Sequence, residues 1–166
     1  MRVGKVLVIG AGEAGKSTLI QALSDDAMNL EVGGRTVAMD HATLVDGDRR
    51  LSLVGVPGQK RFDVVRSVLA EGARGAVWVH RAGDPIDPQT TDLVLQLGGK
   101  TVPYIVYVNH SDGAEPNGSW NCPEGCGQPR TIIEGNLLHP GASLFVLWKE
   151  IWKLAATPAN GHEKGA

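Results

Sequence analysis

A chain of 166 residues, 42% of them hydrophobic, is long enough to bury a core of its own, and it reads as one domain over 1–157 with a flexible tail over 158–166. Its 16 basic and 18 acidic residues leave a net charge of −2, which excludes the basic excess of a nucleic-acid binder, and no apolar run approaches a membrane span. Met1–Lys5 leads directly into an apolar run with neither a signal-peptide nor a myristoylation pattern, and Gly161–Ala166 offers no cysteine for prenylation, so a cytoplasmic protein with no membrane anchor is expected.

Lys5-Val6-Leu7-Val8-Ile9 predicts the first strand, and Leu19–Leu23 starts a helical pattern. Between them lies Gly10-Ala11-Gly12-Glu13-Ala14-Gly15-Lys16-Ser17-Thr18, which has the spacing GxxxxGK[ST] in the strand–turn–helix context that gives this motif its meaning. Its glycines permit backbone angles that turn successive N–H groups inward into an anion-binding nest, and the following helix adds the positive end of its dipole. Gly12, Glu13, Ala14, Gly15, Lys16, Ser17 and Thr18 are therefore the expected phosphate contacts. Lys16 is suited to the β- and γ-phosphates, and the Ser17 hydroxyl to Mg²⁺. This stretch predicts a nucleoside-triphosphate site.

Beyond the first helix, Ser24–Gly34 reads as an irregular polar loop, and Thr36–Val45 as a strand. Asp46-Gly47-Asp48-Arg49 is a hairpin turn, since Asp-Gly suits the positive backbone angles of a type I′ turn, and Leu51–Val54 returns antiparallel. Gly55-Val56-Pro57-Gly58-Gln59 ends that strand. Phe62, Val65, Val68 and Leu69 then give one face of a helix. Ala76–His80 is a buried-type strand, Pro88–Leu97 a helix with proline in its first turn, and Pro103–Val108 another strand. Residues 111–130 show no periodicity, Arg130–Ile133 is the last strand, and Leu144, Phe145, Trp148, Ile151, Trp152 and Ala155 form an apolar stripe on the last helix. Strands alternating with helices imply an α/β, three-layer architecture: a mainly parallel sheet with one antiparallel edge strand. Ligand would bind at the carboxyl ends of the strands, where Gly10, Gly55 and Asn109 emerge.

In order and spacing these signals resemble the Ras-like small GTPases of the P-loop superfamily over residues 3–156. Arf-type members and the prokaryotic polarity and gliding-motility GTPases that work with Roadblock-domain proteins are the nearest in pattern. The resemblance implies a Mg²⁺-dependent switch that binds GTP or GDP and hydrolyses GTP slowly unless an activating partner is present. Exchange, activating or Roadblock-type proteins are the implied partners. Thr36 then resembles the switch I threonine that senses Mg²⁺ and γ-phosphate, with Thr43, deeper in the strand, as its rival. Gly58 and Gln59 resemble switch II: Gly58 would offer its N–H to the γ-phosphate and Gln59 would orient the attacking water, with Lys16 assisting catalysis. Gly55 stands where that motif normally has an aspartate. Asn109-His110-Ser111-Asp112 resembles the base-recognition motif NKxD, in which Asp112 would accept from N1 and the exocyclic amine of guanine, Asn109 would fix the loop, and His110 replaces the lysine. Glu134-Gly135-Asn136-Leu137 takes the place of the last motif, where only backbone donors are available.

Two other readings stay open on these residues: a nucleotide-binding interaction module that hydrolyses little or nothing, and a small-molecule kinase, which the absence of an arginine-rich lid disfavours. Cys122 and Cys126, spaced CxxxC, are expected as free thiols rather than a zinc site or a disulfide. His80 and Arg81 are expected as a hydrogen-bonded strand-end histidine and a solvated arginine.

Overall fold

The computed structural model describes residues 2–23, 28–32, 35–57, 71–98, 102–110 and 120–156, with the backbone alone described for 2, 28–32 and 35–40. Within them, strands β1 (Arg2–Ile9), β2 (Met28–Val32), β3 (Arg35–Asp46), β4 (Arg49–Gly55), β5 (Ala73–Arg81), β6 (Tyr104–Asn109) and β7 (Ile132–Gly135) form one sheet in the order β2-β3-β4-β1-β5-β6-β7. Helices α1 (Lys16–Leu23), α2 (Pro88–Gly98) and α3 (Gly141–Ala156) flank it. The β1–β4, β1–β5, β5–β6 and β6–β7 pairs are parallel, and β3 alone runs against its neighbours. The expected fold class is therefore the one formed. The expected helix over Phe62–Leu69 lies outside the described residues.

β1 shows why the run Val6–Ile9 is apolar without alternation: both faces of the sheet are covered. Val6 and Val8 face α1 and α3, packing with Leu19, Ile20, Leu147 and Ile151. Leu7 and Ile9 face the other layer, with Leu93, Val94 and Leu97 of α2. Continuous apolar strands are the signature of a parallel sheet buried on both sides. Because β1, β4, β5, β6 and β7 all run the same way, their last residues (Ile9, Gly55, Arg81, Asn109 and Gly135) emerge along a single edge.

Three expectations are corrected. Ser24–Gly34 is not wholly irregular, because Met28–Val32 pairs with β3, Glu31 opposite Thr36, so the antiparallel strand lies one in from the edge. Strand propensity in Leu30 and Val32 was masked by the polar residues around them. Phe145 lies off the buried stripe and is 63% exposed, with the Lys149 ammonium 5.3 Å from its ring centre, whereas Leu147 and Leu154 complete the buried face. Trp148 is half-buried and packs edge-on against Trp152. Glu134 and Gly135 belong to β7 rather than to the loop after it.

The stretch 120–130 is irregular in backbone but not loose. Trp120 is buried edge-on against Trp78, 5.3 Å between ring centres, and the Tyr104 hydroxyl donates to Gly127 O at 2.6 Å. Cys122 and Cys126 are free, and the Cys122 thiol donates to Gly127 O at 3.1 Å. This segment covers the α2 face of the sheet without a helix of its own. α2 itself begins where the sequence placed it: the Asp87 carboxylate accepts from Thr90 N at 3.1 Å as an N-cap, with Pro88 as the first helical residue.

Gly75 in β5 marks the closest approach of α3 to the sheet, since a Cβ there would lie 2.4 Å from Leu154 Cδ2 and Cγ. Gly75→Ala is expected to destabilise the protein by about 1–3 kcal/mol through overpacking. Urea unfolding checks it, with the midpoint falling at an unchanged slope.

Candidate functional site

The glycine-rich loop leaves β1 at Gly10 and enters α1 at Lys16. Gly10 has φ 148° and a Cβ there would lie 2.3 Å from Val79 O, so the loop presses on β5 too closely for any side chain. Gly15, at φ 113°, would set a Cβ 2.9 Å from Asn109 Nδ2 and 3.0 Å from Leu137 Cδ1. Gly12 differs from expectation: its φ lies outside the left-handed region and a Cβ there would meet nothing within 4 Å, so it borders open space. Ala14 N donates to Ala11 O at 3.1 Å and Leu19 N to Gly15 O at 2.9 Å, closing the turn and starting the helix. Glu13 and the Ser17 and Thr18 side chains are exposed around this turn, and Ala14 is buried beneath it.

Lys16 folds back over the loop. Its ammonium donates to Gly10 O at 2.8 Å and to Ala11 O at 2.9 Å. Burial pushes its pKa down from 10.5 to about 8, only partly opposed by the Asp87 carboxylate. The loop therefore holds a cation that is incompletely charged just above neutrality and gains by meeting an anion. Phosphate binding favours the protonated lysine, so a bound phosphate raises this pKa again. Affinity for a polyphosphate is therefore expected to be steady below pH 8 and to fall, by up to ten-fold per pH unit, above it. Titration calorimetry at pH 8.5 in buffers of different ionisation enthalpy checks this, with net proton uptake on binding as the expected result.

Asn109, 5% exposed, joins three loops. Its Nδ2 donates to Ala14 O at 3.2 Å, and its Oδ1 accepts from Leu137 N at 3.1 Å. Asn109 thus makes a pair of buried bonds between the glycine-rich loop and the turn after β7. His110 N continues the edge by donating to Gly135 O at 2.8 Å, while its ring Nε2 pairs with Glu134 Oε1 at 3.0 Å. The imidazole is tied to β7. Asp112 lies outside the described residues.

Above Asn109 a cleft of about 240 Å³ opens beside the Gly15 turn, walled by Glu13 and Thr18, by Leu137 and Leu138, and by Arg81. Arg81, expected as a solvated arginine, is thus part of the cleft. No motif in the sequence marks it; its place comes from ending β5 in register with Asn109. His80 also departs from expectation: it is 4% exposed, its Nε2 has no hydrogen-bond partner among the described residues, and burial lowers its pKa.

On the other flank, Val56 N donates to Val8 O at 2.9 Å, which carries the chain past Gly55 beside the phosphate loop. Gly58 and Gln59 lie outside the described residues. Thr36 sits in the part of β3 that extends beyond its last partner in β4, His41 opposite Val54, and so projects past the same sheet edge. Thr43 lies within the ladder opposite Ser52, too deep to reach that edge. For Mg²⁺ the donor set is lean but of the right chemistry. Ser17 presents an exposed hydroxyl at the first turn of α1, Gly55 contributes no carboxylate, and a magnesium ion held largely by phosphate oxygens and water needs few protein ligands.

Residues 5–110 match the family described as "50S ribosome-binding GTPase". An uncharacterised protein of Methanocaldococcus jannaschii is 34% identical over 108 residues, 65% of this chain and 70% of that protein. Translation initiation factor IF-2 of Rickettsia bellii is 34% identical over 114 residues, which are 67% of this chain but 14% of that factor. Among solved structures, the G domain of the T. maritima FeoB iron transporter superposes with a TM-score of 0.68 at 18% identity, covering 93% of this chain and 99% of that one. Elongation factor SelB of Methanococcus maripaludis, in complex with a GTP analogue, gives 0.68 at 21% identity, over 91% of this chain and 33% of that one. At these identities the two structures show a shared fold. No helix among the described residues is long and apolar enough to cross a membrane.

Proposed function

Since the chain belongs to the 50S ribosome-binding GTPase family, we propose that it is a Mg²⁺-dependent guanine-nucleotide switch: it binds GTP, hydrolyses it slowly to GDP and phosphate, and changes its switch segments between the two states. The observation that carries this reading is the glycine-rich loop itself, with Lys16 laid across its carbonyls and Asn109 bonding it to the turn after β7. We assign the phosphates to the 12–18 loop, and the base to the cleft beside Asn109 together with Asp112, whose carboxylate suits the paired donors of guanine. Ser17 and Thr36 would hold Mg²⁺, which, when bound, neutralises charge on the β- and γ-phosphates. The domain is proposed to span 1–157, in the cytoplasm.

In the reaction this chain's part is positioning. Lys16 exchanges its loop carbonyls for phosphate oxygens as negative charge grows on the leaving side. Gly58 N–H holds the γ-phosphate, and Gln59 orients the water that attacks it. Thr36 and Gly58 meet the γ-phosphate only in the GTP state, and that difference in contact is what a switch requires. Turnover would be slow without a partner. The form Gly55-Val56-Pro57-Gly58-Gln59 resembles the Roadblock-associated motility GTPases, which would make activating, exchange or Roadblock-type proteins its partners.

Phosphate release from GTP, measured in single-turnover mode, tests the reading. Gln59→Leu is expected to lower the rate ten-fold or more with GTP affinity unchanged, because leucine cannot orient water yet loses no ground-state contact. Equal rates in the two proteins would remove Gln59 from the reaction. The second reading, a binding module with little hydrolysis, draws on Gly55, which leaves the metal side without a carboxylate; tight GTP binding with no release in either protein would favour it.

A further inference from the structure

We propose that Arg81 is a nucleobase-binding residue, its guanidinium lying against the face of the purine that occupies the cleft beside Asn109. The inference rests on the guanine-nucleotide reading above and adds to it a residue outside the motifs that suggested it. Arg81 ends β5 directly opposite Asn109, which ends β6, so the sheet register delivers the two side by side to the edge where the ligand binds. Its side chain, half-buried, lines the cleft together with Thr18 and Glu13 on the phosphate-loop side and Leu137 and Leu138 on the β7 side. It is the one cation among the described residues that line this space. Neither Lys16, which lies over Gly10 O and Ala11 O, nor the His110 ring, which pairs with Glu134, is among the residues that line it.

A flat aromatic ligand needs cover on its faces and hydrogen-bond partners on its edge. Leu137, 4% exposed, and Leu138, 62% exposed, supply apolar surface, and Leu138 is the part of that wall a ligand would still have to cover. Arginine is the charged side chain best suited to the remaining surface. Its guanidinium is planar, weakly hydrated and charged at every relevant pH, and it stacks on ring faces, whereas a lysine ammonium offers a point charge with no plane. Stacking of a base on such a group makes a large, sequence-tolerant contribution to affinity.

The experiment is GDP binding by the full chain carrying Arg81→Lys, Arg81→Tyr or Arg81→Ala, with the melting temperature of each ligand-free variant as the control for folding. Arg81→Ala is expected to weaken GDP roughly ten- to hundred-fold by loss of the stacking partner. Arg81→Lys, which keeps charge and most of the stem but has no plane, is expected to weaken it nearly as much. Arg81→Tyr, which has a plane and no charge, is expected to stay within about three-fold of the parent. Unchanged affinity in all three variants overturns the inference. So does retention in Arg81→Lys with loss in Arg81→Tyr, which would make Arg81 an electrostatic group. A loss that tracks a lower ligand-free melting temperature also overturns it, by making the residue structural. If the unsubstituted chain itself binds no GDP, the guanine-nucleotide reading fails first, and that result is distinct from any of these.

Discussion

Lys16→Ala is expected to raise the dissociation constant for GTP and GDP by at least a hundred-fold while leaving the ligand-free fold as stable as before. The charge-assisted bonds from this ammonium to two phosphate groups are worth about 1.5–3 kcal/mol each, so losing both removes several kcal/mol of affinity. The fold does not share that loss. Holding Lys16 at a pKa of about 8 against 10.5 costs the ligand-free protein roughly 3 kcal/mol below pH 8, because the unfolded chain keeps the proton in water. Removing the side chain relieves that cost and gives up two bonds, to Gly10 O and Ala11 O, whose net worth is about 1 kcal/mol each. Calorimetric titration together with thermal unfolding checks both halves. An unchanged affinity would remove the phosphate-loop assignment, and a collapsed melting temperature would make Lys16 a structural residue.

Asn109→Asp is the second large effect. The substitution keeps size and one acceptor, so Leu137 N still has a partner, but the donor to Ala14 O is lost and a carboxylate is placed 3.2 Å from a carbonyl oxygen at a site 5% exposed. A buried charge facing a lone pair is repelled and poorly solvated. Stability is expected to fall by about 2–4 kcal/mol at pH 7 and to recover as the pH drops and the carboxyl protonates, since the protonated form donates again. Nucleotide affinity should fall with it, because Ala14 O and Leu137 N fix the two walls of the cleft. Denaturant unfolding at pH 5 and pH 7 measures the recovery; an equal loss at both would mean that the buried charge is not the source of the cost.

The strand–turn–helix around Gly10–Thr18 was legible in the sequence because its physics is local: a buried strand, glycines for a tight turn, and Lys-Ser at the helix start all fall within one stretch of chain. Sheet class and most strand positions were legible for a similar reason, since apolar runs such as Val6–Ile9 and Tyr104–Val108 announce burial on both faces. What escaped was non-local. β2 gains its place only by pairing with β3, Trp120 and Cys126 are core residues inside an aperiodic stretch, and Phe145 is exposed on α3 rather than part of its buried stripe. Arg81 carries no motif at all. It enters the cleft because β5 and β6 are in parallel register, a fact that no spacing along the chain encodes.

The central claim is that this site selects a guanine nucleotide, and equilibrium titration of the unmodified chain, stripped of bound nucleotide, with GDP and with ADP in the presence of Mg²⁺ tests it most directly. One saturable site for GDP with ADP at least ten-fold weaker is the predicted result. Equal affinity for the two, or no binding of GDP, would contradict it.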